Sequence, residues 1–579
     1  MKRYSKYIKP YLYAFILGPL LMIVEVVGEI VMPKLMAGII DTGVANKDYT
    51  YIWTHGALMA GVGILMMLGG VGGAYFASKA SVGFSSDLRK DTFDKIQEMS
   101  FANLDHFSTG SLITRLTNDV TQVQNLINMM LRMMLRAPGM LIGALIMAVV
   151  MNPRLAMVLL VVIPLLVVVI IIVLRVAMPR FKNMQTKLDM LNSNVQEVLT
   201  SVRVIKSFVR EDFETVKFEE SNSNLKEASL GAFKLLILVM PIMSVMMNAT
   251  TLAVVWFGGQ QIILGEMEVG NLTAFITYIT QILSSLMMVA FMLLQTTRAF
   301  ASLNRIREVL DSDIDINDLN AKELSKEVTA GKIEFRNVSF RYYKNSEEKV
   351  LNDVTFTIEA GQTVGIIGST GSGKTTLVSM IPRLYDVDEG EVLVDGTDVK
   401  DYSLTHLRDG VGMVLQKNVL FSGSVKENLL WGDDEATMEE VVKAASDAQA
   451  DTFVKNLVDG YDYELGQGGV NVSGGQKQRL CIARALLKKP KILILDDSTS
   501  AVDTATEAKI RECFYSTLKD TTKIIIAQRI TSVMDADMIV VMDDGRVDAI
   551  GSHEELLKNC EAYKEIYYSQ MDKDKEVSA

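Results

Sequence analysis

The sequence predicts a multidomain membrane protein, in which an all-α domain of six membrane-spanning helices precedes an α/β domain. Three observations predict this class. Six stretches within residues 1–310 come close to the roughly 20 apolar residues that cross a bilayer as a helix. Residues 311–329 then turn acidic and polar, as expected of a linker. Short β-type runs alternate with helical segments over residues 330–570, which is typical of an α/β domain.

The six apolar stretches are predicted to be transmembrane helices, because lipid cannot satisfy the backbone of an open strand. The alternative, buried helices of a soluble protein, is disfavoured because several stretches are apolar on every face. The predicted spans are residues 12–36, 54–77, 129–151, 155–178, 232–257 and 272–294.

The connections between spans predict the orientation of the chain. Lys2, Arg3, Lys6 and Lys9 place the N-terminus on the cytoplasmic side. An even number of spans then returns the C-terminal domain to the cytoplasm. The links after spans two and four are long and polar, so we expect helical extensions that each carry a short transverse helix, near residues 100–110 and 207–214.

Charge is distributed unevenly along the chain. Residues 1–320 carry 27 basic and 25 acidic side chains, and the remainder carries 31 and 44. The net charge of −11 therefore belongs to the C-terminal part, which has no basic footprint for nucleic acid. Cys481, Cys513 and Cys560 lack paired spacing, so we expect neither a disulfide framework nor a zinc site. Residues 571–579 are predicted to be a disordered tail.

One segment of the α/β domain matches the phosphate-binding loop G-x-x-x-x-G-K-[ST]. It follows a strand-like TVGII and opens a predicted helix at residues 375–385, which is the context that the motif requires. Backbone N–H groups would surround the phosphates of ATP, and Lys374 would reach the β- and γ-phosphates. The predicted nucleotide-binding residues of this segment are Gly368, Ser369, Thr370, Gly371, Ser372, Gly373, Lys374, Thr375 and Thr376.

A second apolar strand ends in a carboxylate, Asp496, which is the second half of such a nucleotide site. Thr375 and Asp496 are predicted ligands of Mg²⁺.

The segment between these two motifs, NVSGGQKQR at residues 471–479, closely resembles the signature sequence of ABC transporters. Tyr342, Gln416 and the SAVD segment at residues 500–503 match, in order, the family's adenine-stacking aromatic, Q-loop and D-loop. With six spans before the ATPase domain, nearly the whole chain resembles an exporter-type ABC half-transporter.

The resemblance implies a dimer in which two ATP molecules lie between two ATPase domains, each against the other chain's signature. It implies that Gln416 joins the Mg²⁺ ligands. The residues that would face the partner's nucleotide are Ser473, Gly474, Gly475, Gln476 and Asp503.

Two positions depart from the family's pattern. Asp497 stands where a Glu usually polarises the attacking water, and Gln528 stands where a switch His is usual. The Asp497 carboxylate is withdrawn by one methylene, and the Gln528 side chain carries no positive charge. Both differences predict a slow ATP site. The pattern resembles the degenerate-site subunit of heterodimeric bacterial multidrug exporters. A homodimer with two slow sites is the alternative.

Glu25 and Glu29 lie four residues apart in the first span, on one helix face. Carboxylates inside a bilayer are costly, so they are candidate contacts for a cationic amphiphile or a proton. The alternatives are a helix-packing partner or a position near the lipid headgroups. The resemblance favours export of amphiphilic, drug-like compounds across a bacterial cell membrane. Lipid or peptide export, or an ATP-gated channel or sensor, are the other readings.

Overall fold

The computed structural model describes residues 4–344, 346–497 and 502–577, which form two compact units. The first unit comprises Met1–Gln97 and Thr109–Asp311, and the second comprises Glu98–Ser108 and Ser312–Ala579. The short segment 98–108, predicted to hold the first transverse helix, therefore groups with the α/β domain rather than with the helices on either side of it.

Every regular element among the described residues of the first unit is a helix. Its α-helices are α1 (Ser5–Ile8), α2 (Leu12–Gly38), α3 (Tyr49–Gln97), α5 (Thr109–Thr114), α6 (Val120–Met133), α7 (Arg136–Met151), α8 (Pro153–Thr200), α9 (Val202–Ser207), α10 (Glu211–Ile263) and α11 (Val269–Leu310), and α4 (Phe101–His106) belongs to the second unit. Among the described residues, six helical stretches are long and apolar enough to cross a membrane: Ser5–Val44, Tyr49–Gln97, Thr109–Met151, Pro153–Thr200, Pro241–Ile263 and Val269–Ala290. The prediction of a six-span helical domain is confirmed.

The tight turn between the third and fourth spans is explained by two neighbouring residues. Asn152 is extended, and its side chain accepts a hydrogen bond from the Leu155 N–H, while Pro153 occupies the first helical position. The predicted last link, residues 258–271, is wrong at its start, since α10 continues to Ile263. Gly258 is accommodated because it lets the chain approach Leu272, whose Cδ1 would lie 2.5 Å from a Cβ there.

Both transverse helices are present. In α4, Ser100 caps the helix and exchanges hydrogen bonds with Asn103 in a capping box. The second is α9, which lies at Val202–Ser207, earlier than the predicted residues 207–214. The chain breaks after α9 because Val209 adopts a left-handed backbone with φ of 52°.

The second unit contains the strands of the α/β domain. These are β1 (Ile333–Phe340), β2 (Leu351–Ile358), β3 (Thr363–Gly368), β4 (Glu389–Val394), β5 (Thr397–Asp398), β6 (Val411–Val414), β7 (Gly423–Ser424), β8 (Glu464–Leu465), β9 (Ile492–Asp496), β10 (Thr522–Ile526), β11 (Met538–Asp543) and β12 (Arg546–Gly551). The main sheet has the order β12-β11-β3-β10-β9-β6, and its strands are parallel except for β12. A second, antiparallel sheet has the order β2-β1-β4-β5.

The helices of the second unit cover these sheets and enclose two apolar cores. They are α12 (Lys374–Ser379), α13 (Leu404–Asp409), α14 (Val425–Leu430), α15 (Met438–Asp447), α16 (Asp451–Val454), α17 (Gly474–Leu487), α18 (Thr504–Thr517), α19 (His553–Asn559) and α20 (Glu561–Val577). Because β3, β10, β9 and β6 are adjacent and parallel, their carboxyl ends lie along one edge of the sheet. Ligands of open α/β sheets bind at that edge.

Three predictions about this unit differ from the structure. The helix predicted at residues 375–385 ends at Ser379, and Arg383 then adopts a φ of 51°. Residues 312–329 pack onto the domain rather than form a free linker, since Ile316 and Val328 are buried. Of the tail predicted to be disordered, residues 571–577 are helical, since α20 runs through to Val577, and residues 578–579 lie outside the described residues.

Candidate nucleotide-binding site

The phosphate loop lies between β3 and α12 and depends on its glycines. Gly368 has a φ of 155°, and a Cβ there would lie 2.1 Å from the Met542 carbonyl oxygen. Gly373 has a φ of 89°, and a Cβ there would lie 2.9 Å from the Val350 carbonyl oxygen. Other residues would be strained and crowded at both positions. The backbone of the loop therefore has the tight curvature that directs N–H groups toward a common centre.

Lys374 is folded back over this loop. Its Nζ donates to the carbonyl oxygens of Gly368 and Ser369 at 2.9 and 2.6 Å. Burial lowers the pKa of Lys374, and the carboxylates of Asp496 and Asp497 oppose that shift. Among the described residues its hydrogen bonds are all to neutral oxygens, and no carboxylate lies within hydrogen-bond distance, so the ammonium is available to a phosphate.

The residues present fit a magnesium ion. Thr375 Oγ1 donates to Asp496 Oδ1 at 3.1 Å, while Asp496 Oδ2 is buried without a hydrogen-bond partner among the described residues. Asp496 is only 2% exposed, and this burial raises its pKa. A hydroxyl beside an orphaned, buried carboxylate oxygen is the donor set that Mg²⁺ takes up beside nucleotide phosphates.

Asp497 is held by the other two polar residues of the site. Gln528 Nε2 donates to Asp497 Oδ2 at 2.8 Å, and Gln416 Nε2 lies 3.5 Å from the same oxygen. Burial raises the pKa of Asp497, and the two amides oppose this shift. Asp497 has a left-handed backbone with φ of 47° immediately after β9. The two positions that depart from the family's pattern therefore contact each other directly.

Tyr342 stands at one end of the same cavity. Its hydroxyl lies 2.8 Å from Thr376 Oγ1, and its ring packs edge-on against Phe340 and Tyr385. Tyr385 in turn donates to Asp105 of α4 at 2.9 Å, inside the second unit. Tyr342 is 40% exposed, so part of this side chain is accessible for stacking.

A single cavity of about 620 Å³ brings these residues together. It is lined by the predicted residues Tyr342, Gly368, Ser369, Thr370, Gly371, Gly373, Lys374, Thr375, Thr376, Gln416, Asp496, Asp497 and Gln528. Ser372 is instead buried beneath the loop. Sequence reasoning missed five further lining residues, since no motif marks them: Val350, Ile367, Ile526, Ile566 and Gln570.

The signature residues lie elsewhere, at the N-terminus of α17. The Ser473 hydroxyl accepts from the Gln476 N–H at 3.3 Å, and Gln476 Oε1 accepts from the Ser473 N–H at 2.8 Å. Ser473 and Gly474 are exposed, and Gly475 is half-buried. Val472, which replaces the usual Leu, is a core residue. None of these residues lines the cavity described above.

The predicted D-loop falls partly outside the described residues, since Ser500 and Ala501 are not among them. Asp503 is exposed and caps α18 through the Thr506 N–H at 2.9 Å.

The two acidic residues of the first span share one partner that sequence reasoning missed. Arg136, at the start of α7, lies 3.1 Å from Glu25 Oε1 and 2.8 Å from Glu29 Oε1. The second oxygen of each carboxylate is buried without a hydrogen bond among the described residues. The three side chains carry a net charge of −1. Arg136 is a charged residue within the predicted span 129–151, and that charge is the signal that could have pointed to this pairing.

A phosphate loop with a magnesium-type donor set, a signature helix and six apolar spans define an ATP-driven membrane transporter. Family models agree: residues 15–286 match the ABC transporter transmembrane region, and residues 351–500 match the ABC transporter model. The chain belongs to the ABC transporter family and is an exporter-type member with membrane and ATPase domains, whose ATPase domain binds ATP.

Its relatives include several bacterial proteins. The "Uncharacterized ABC transporter ATP-binding protein YfiB" of Bacillus subtilis is 42% identical, over 99% of this chain and 99% of that protein. The "Putative multidrug export ATP-binding/permease protein YgaD" of the same organism is 32% identical, over 98% of this chain and 99% of that protein. The solved structure of a bacterial Atm1-family ABC exporter with ATP bound has the same fold, with a TM-score of 0.79 and 24% identity over 97% and 98% of the two chains.

Proposed function

We propose that this chain is the degenerate-site half of a heterodimeric exporter, and that it retains ATP while its partner hydrolyses. One observation carries the proposal, the 2.8 Å hydrogen bond from Gln528 to Asp497. The carboxylate at the base position is one methylene shorter than the usual Glu, and a neutral amide occupies one of its oxygens.

The geometry supports binding better than hydrolysis. Shortening the side chain withdraws the carboxylate by about 1.5 Å, one C–C bond. A misplacement of about 1 Å can reduce a rate on the order of 10²-fold. Gln528 offers a hydrogen bond to a γ-phosphate but no positive charge. Lys374 and the loop backbone would hold the phosphates, and Thr375, Asp496 and Gln416 would hold Mg²⁺, which neutralises phosphate charge when bound.

The signature of this chain supports a second subunit. The N–H groups of the exposed Gly474 and the half-buried Gly475 at a helix N-terminus form an anion site, yet both residues lie outside the cavity of their own chain. We therefore assign Ser473, Gly474, Gly475, Gln476 and Asp503 to the nucleotide of the partner.

Cationic amphiphiles are the proposed cargo. The Glu25–Glu29–Arg136 cluster keeps one excess negative charge within the membrane segment, and two of its oxygens lack donors. Buried acceptors of this kind favour a cationic ligand. The name of the relative YgaD, which refers to multidrug export, supports the same class. We place the N-terminus and the ATPase domain on the cytoplasmic side of a bacterial membrane.

The test measures ATP turnover of the purified chain alone and with a co-expressed second half-transporter. We expect slow turnover alone and an increase of at least about tenfold with a partner that supplies Glu and His. The double variant Asp497→Glu/Gln528→His should raise turnover of the chain alone by about tenfold or more, because the base regains its reach.

Asp459→Glu, at an exposed position that does not line the cavity, is the matched control and should change nothing. Equal turnover with and without a partner would refute the proposed division of labour.

A further inference from the structure

The loop that carries Gln528 is held by a side chain from the end of the chain. Gln570, in α20, donates from Nε2 to the Gln528 carbonyl oxygen at 2.9 Å. Its Oε1 accepts from the Ile530 N–H at 2.8 Å. The two bonds lie on either side of Arg529, so a single amide fixes the backbone of the loop at two points.

The helix that supplies Gln570 is firmly packed. Tyr563 is fully buried, and its hydroxyl lies 2.7 Å from His553 Nδ1. Ile566 and Tyr567 pack against the apolar core of the same unit. Gln570 follows Ile566 by four residues and lies on the same helix face. The amide therefore projects from a fixed support.

A Gln side chain suits this position chemically. Its amide offers one donor group and one acceptor oxygen, which match the carbonyl of Gln528 and the N–H of Ile530. The loop follows the end of β10 at Ile526, so these two backbone groups have no strand partner among the described residues. A Glu at this position would keep the acceptor but lose the donor.

The contacts form a continuous series that ends at the site. Gln570 holds the backbone of Gln528, and the Gln528 side chain holds Asp497 at 2.8 Å. Gln570 and Ile566 line the same cavity as Gln528 and Lys374.

We propose that Gln570 is a positioning residue for the nucleotide site, and that α20 thereby sets how strongly this site prefers ATP over ADP. The inference rests on the proposed function, in which Gln528 faces the γ-phosphate. Gln570 acts on the nucleotide through the backbone of Gln528, so its effect is confined to the nucleotide that carries a γ-phosphate.

The experiment measures dissociation constants for ADP and for the non-hydrolysed analogue AMP-PNP, using the full-length chain in lipid nanodiscs. Gln570→Ala should weaken AMP-PNP binding about five- to tenfold, as expected for loss of a hydrogen bond or two, and leave ADP binding unchanged. Gln528→Ala should give the same loss, and the double variant should lose no more than either single variant. Ser569→Ala, on the exposed neighbour, is the control and should match the wild type.

A second variant separates positioning from packing. Gln570→Glu keeps the size and the Ile530 bond but places an oxygen against the Gln528 carbonyl, so it should lose at least as much AMP-PNP affinity as Gln570→Ala. Binding by Gln570→Glu at the wild-type level, or an equal loss for both nucleotides in either variant, would overturn the proposal.

The Gln528→Ala variant separates this inference from the proposed function. If it leaves AMP-PNP binding unchanged, the proposed role of Gln528 fails and the inference fails with it. If it weakens AMP-PNP binding while Gln570→Ala does not, only the inference fails.

Discussion

Arg136 provides a shared counter-charge for the two carboxylates in the first span. Alone, Glu25 and Glu29 would be two charges within a bilayer, which is costly. The guanidinium binds one oxygen of each, and the planar fork of arginine suits a shared contact of this kind. The pairing supports the interpretation that these carboxylates help the helices pack. A contact with a cationic ligand is still possible chemically, because two of the carboxylate oxygens have no donor among the described residues.

Removal of Arg136 is predicted to destabilise the chain more than removal of the whole cluster. Arg136→Met leaves two uncompensated carboxylates, and breaking a buried pair costs about 3–5 kcal/mol. The triple variant Glu25→Gln/Glu29→Gln/Arg136→Met should recover much of this loss. Thermal unfolding in nanodiscs measures both. A triple variant no more stable than Arg136→Met would show that the ion pairs contribute little.

At the scale of elements, one side chain attaches the start of the ATPase domain to its antiparallel sheet. Asp395, after β4, accepts from the backbone N–H groups of Thr329, Ala330, Gly331 and Lys332 at 2.8–3.0 Å. Burial raises the pKa of Asp395, but the four donors outweigh burial and the pKa lies below its ordinary value. The charged form of Asp395 is therefore favoured by folding.

This shift predicts a pH-dependent contribution to stability. Because the folded pKa is lowered, the contribution is present above the unfolded value of about 3.9 and is lost as the pH falls through the folded pKa. Asp395→Asn should therefore lower the unfolding temperature at pH 7, and the difference from wild type should shrink below about pH 4. Asp459→Asn is the control. A difference that stays constant down to pH 3 would contradict the charge-based explanation.

At the scale of the whole molecule, the proposed function gives the chain two distinct surfaces for ATP. The cavity beside β3 holds the phosphate loop, and the exposed N-terminus of α17 holds the signature. Each surface lacks what the other provides. Under that proposal, a transporter built from such chains requires a second subunit.

The two surfaces are predicted to contribute unequally to turnover of the assembled pair. Ser473→Arg in this chain should reduce turnover by about 10²-fold, because it removes an anion-stabilising group from the partner's hydrolytic site. Asp497→Asn in this chain should leave most of the turnover. Steady-state ATPase assays of the co-purified pair check both, with Asp459→Arg as control. The reverse order of effects would mean that this chain carries the hydrolysis.

Local patterns were sufficient for the domain class and most of the nucleotide site. A sufficiently long apolar stretch is enough to predict a membrane span. The phosphate loop is recognised by the fixed spacing of its glycines between a strand and a helix. Strands β2 and β4 were missed, since polar residues interrupt their apolar ones in LNDVTFTI and EGEVLV. The position of α9 was also missed, because it depends on a left-handed turn at Val209 that no turn-forming residue marks.

The sequence by itself determined that the chain has six spans, an ATP-binding domain, and an unusual Asp and Gln at two named positions. Only the tertiary structure decided that Asp497 and Gln528 touch, that Arg136 joins Glu25 and Glu29, and that Gln570 reaches the same loop. The physical reason is the separation along the sequence over which each kind of information acts. Motifs and periodicities act between near neighbours, whereas these contacts join residues 31 to 111 positions apart, where packing rather than spacing sets the distance.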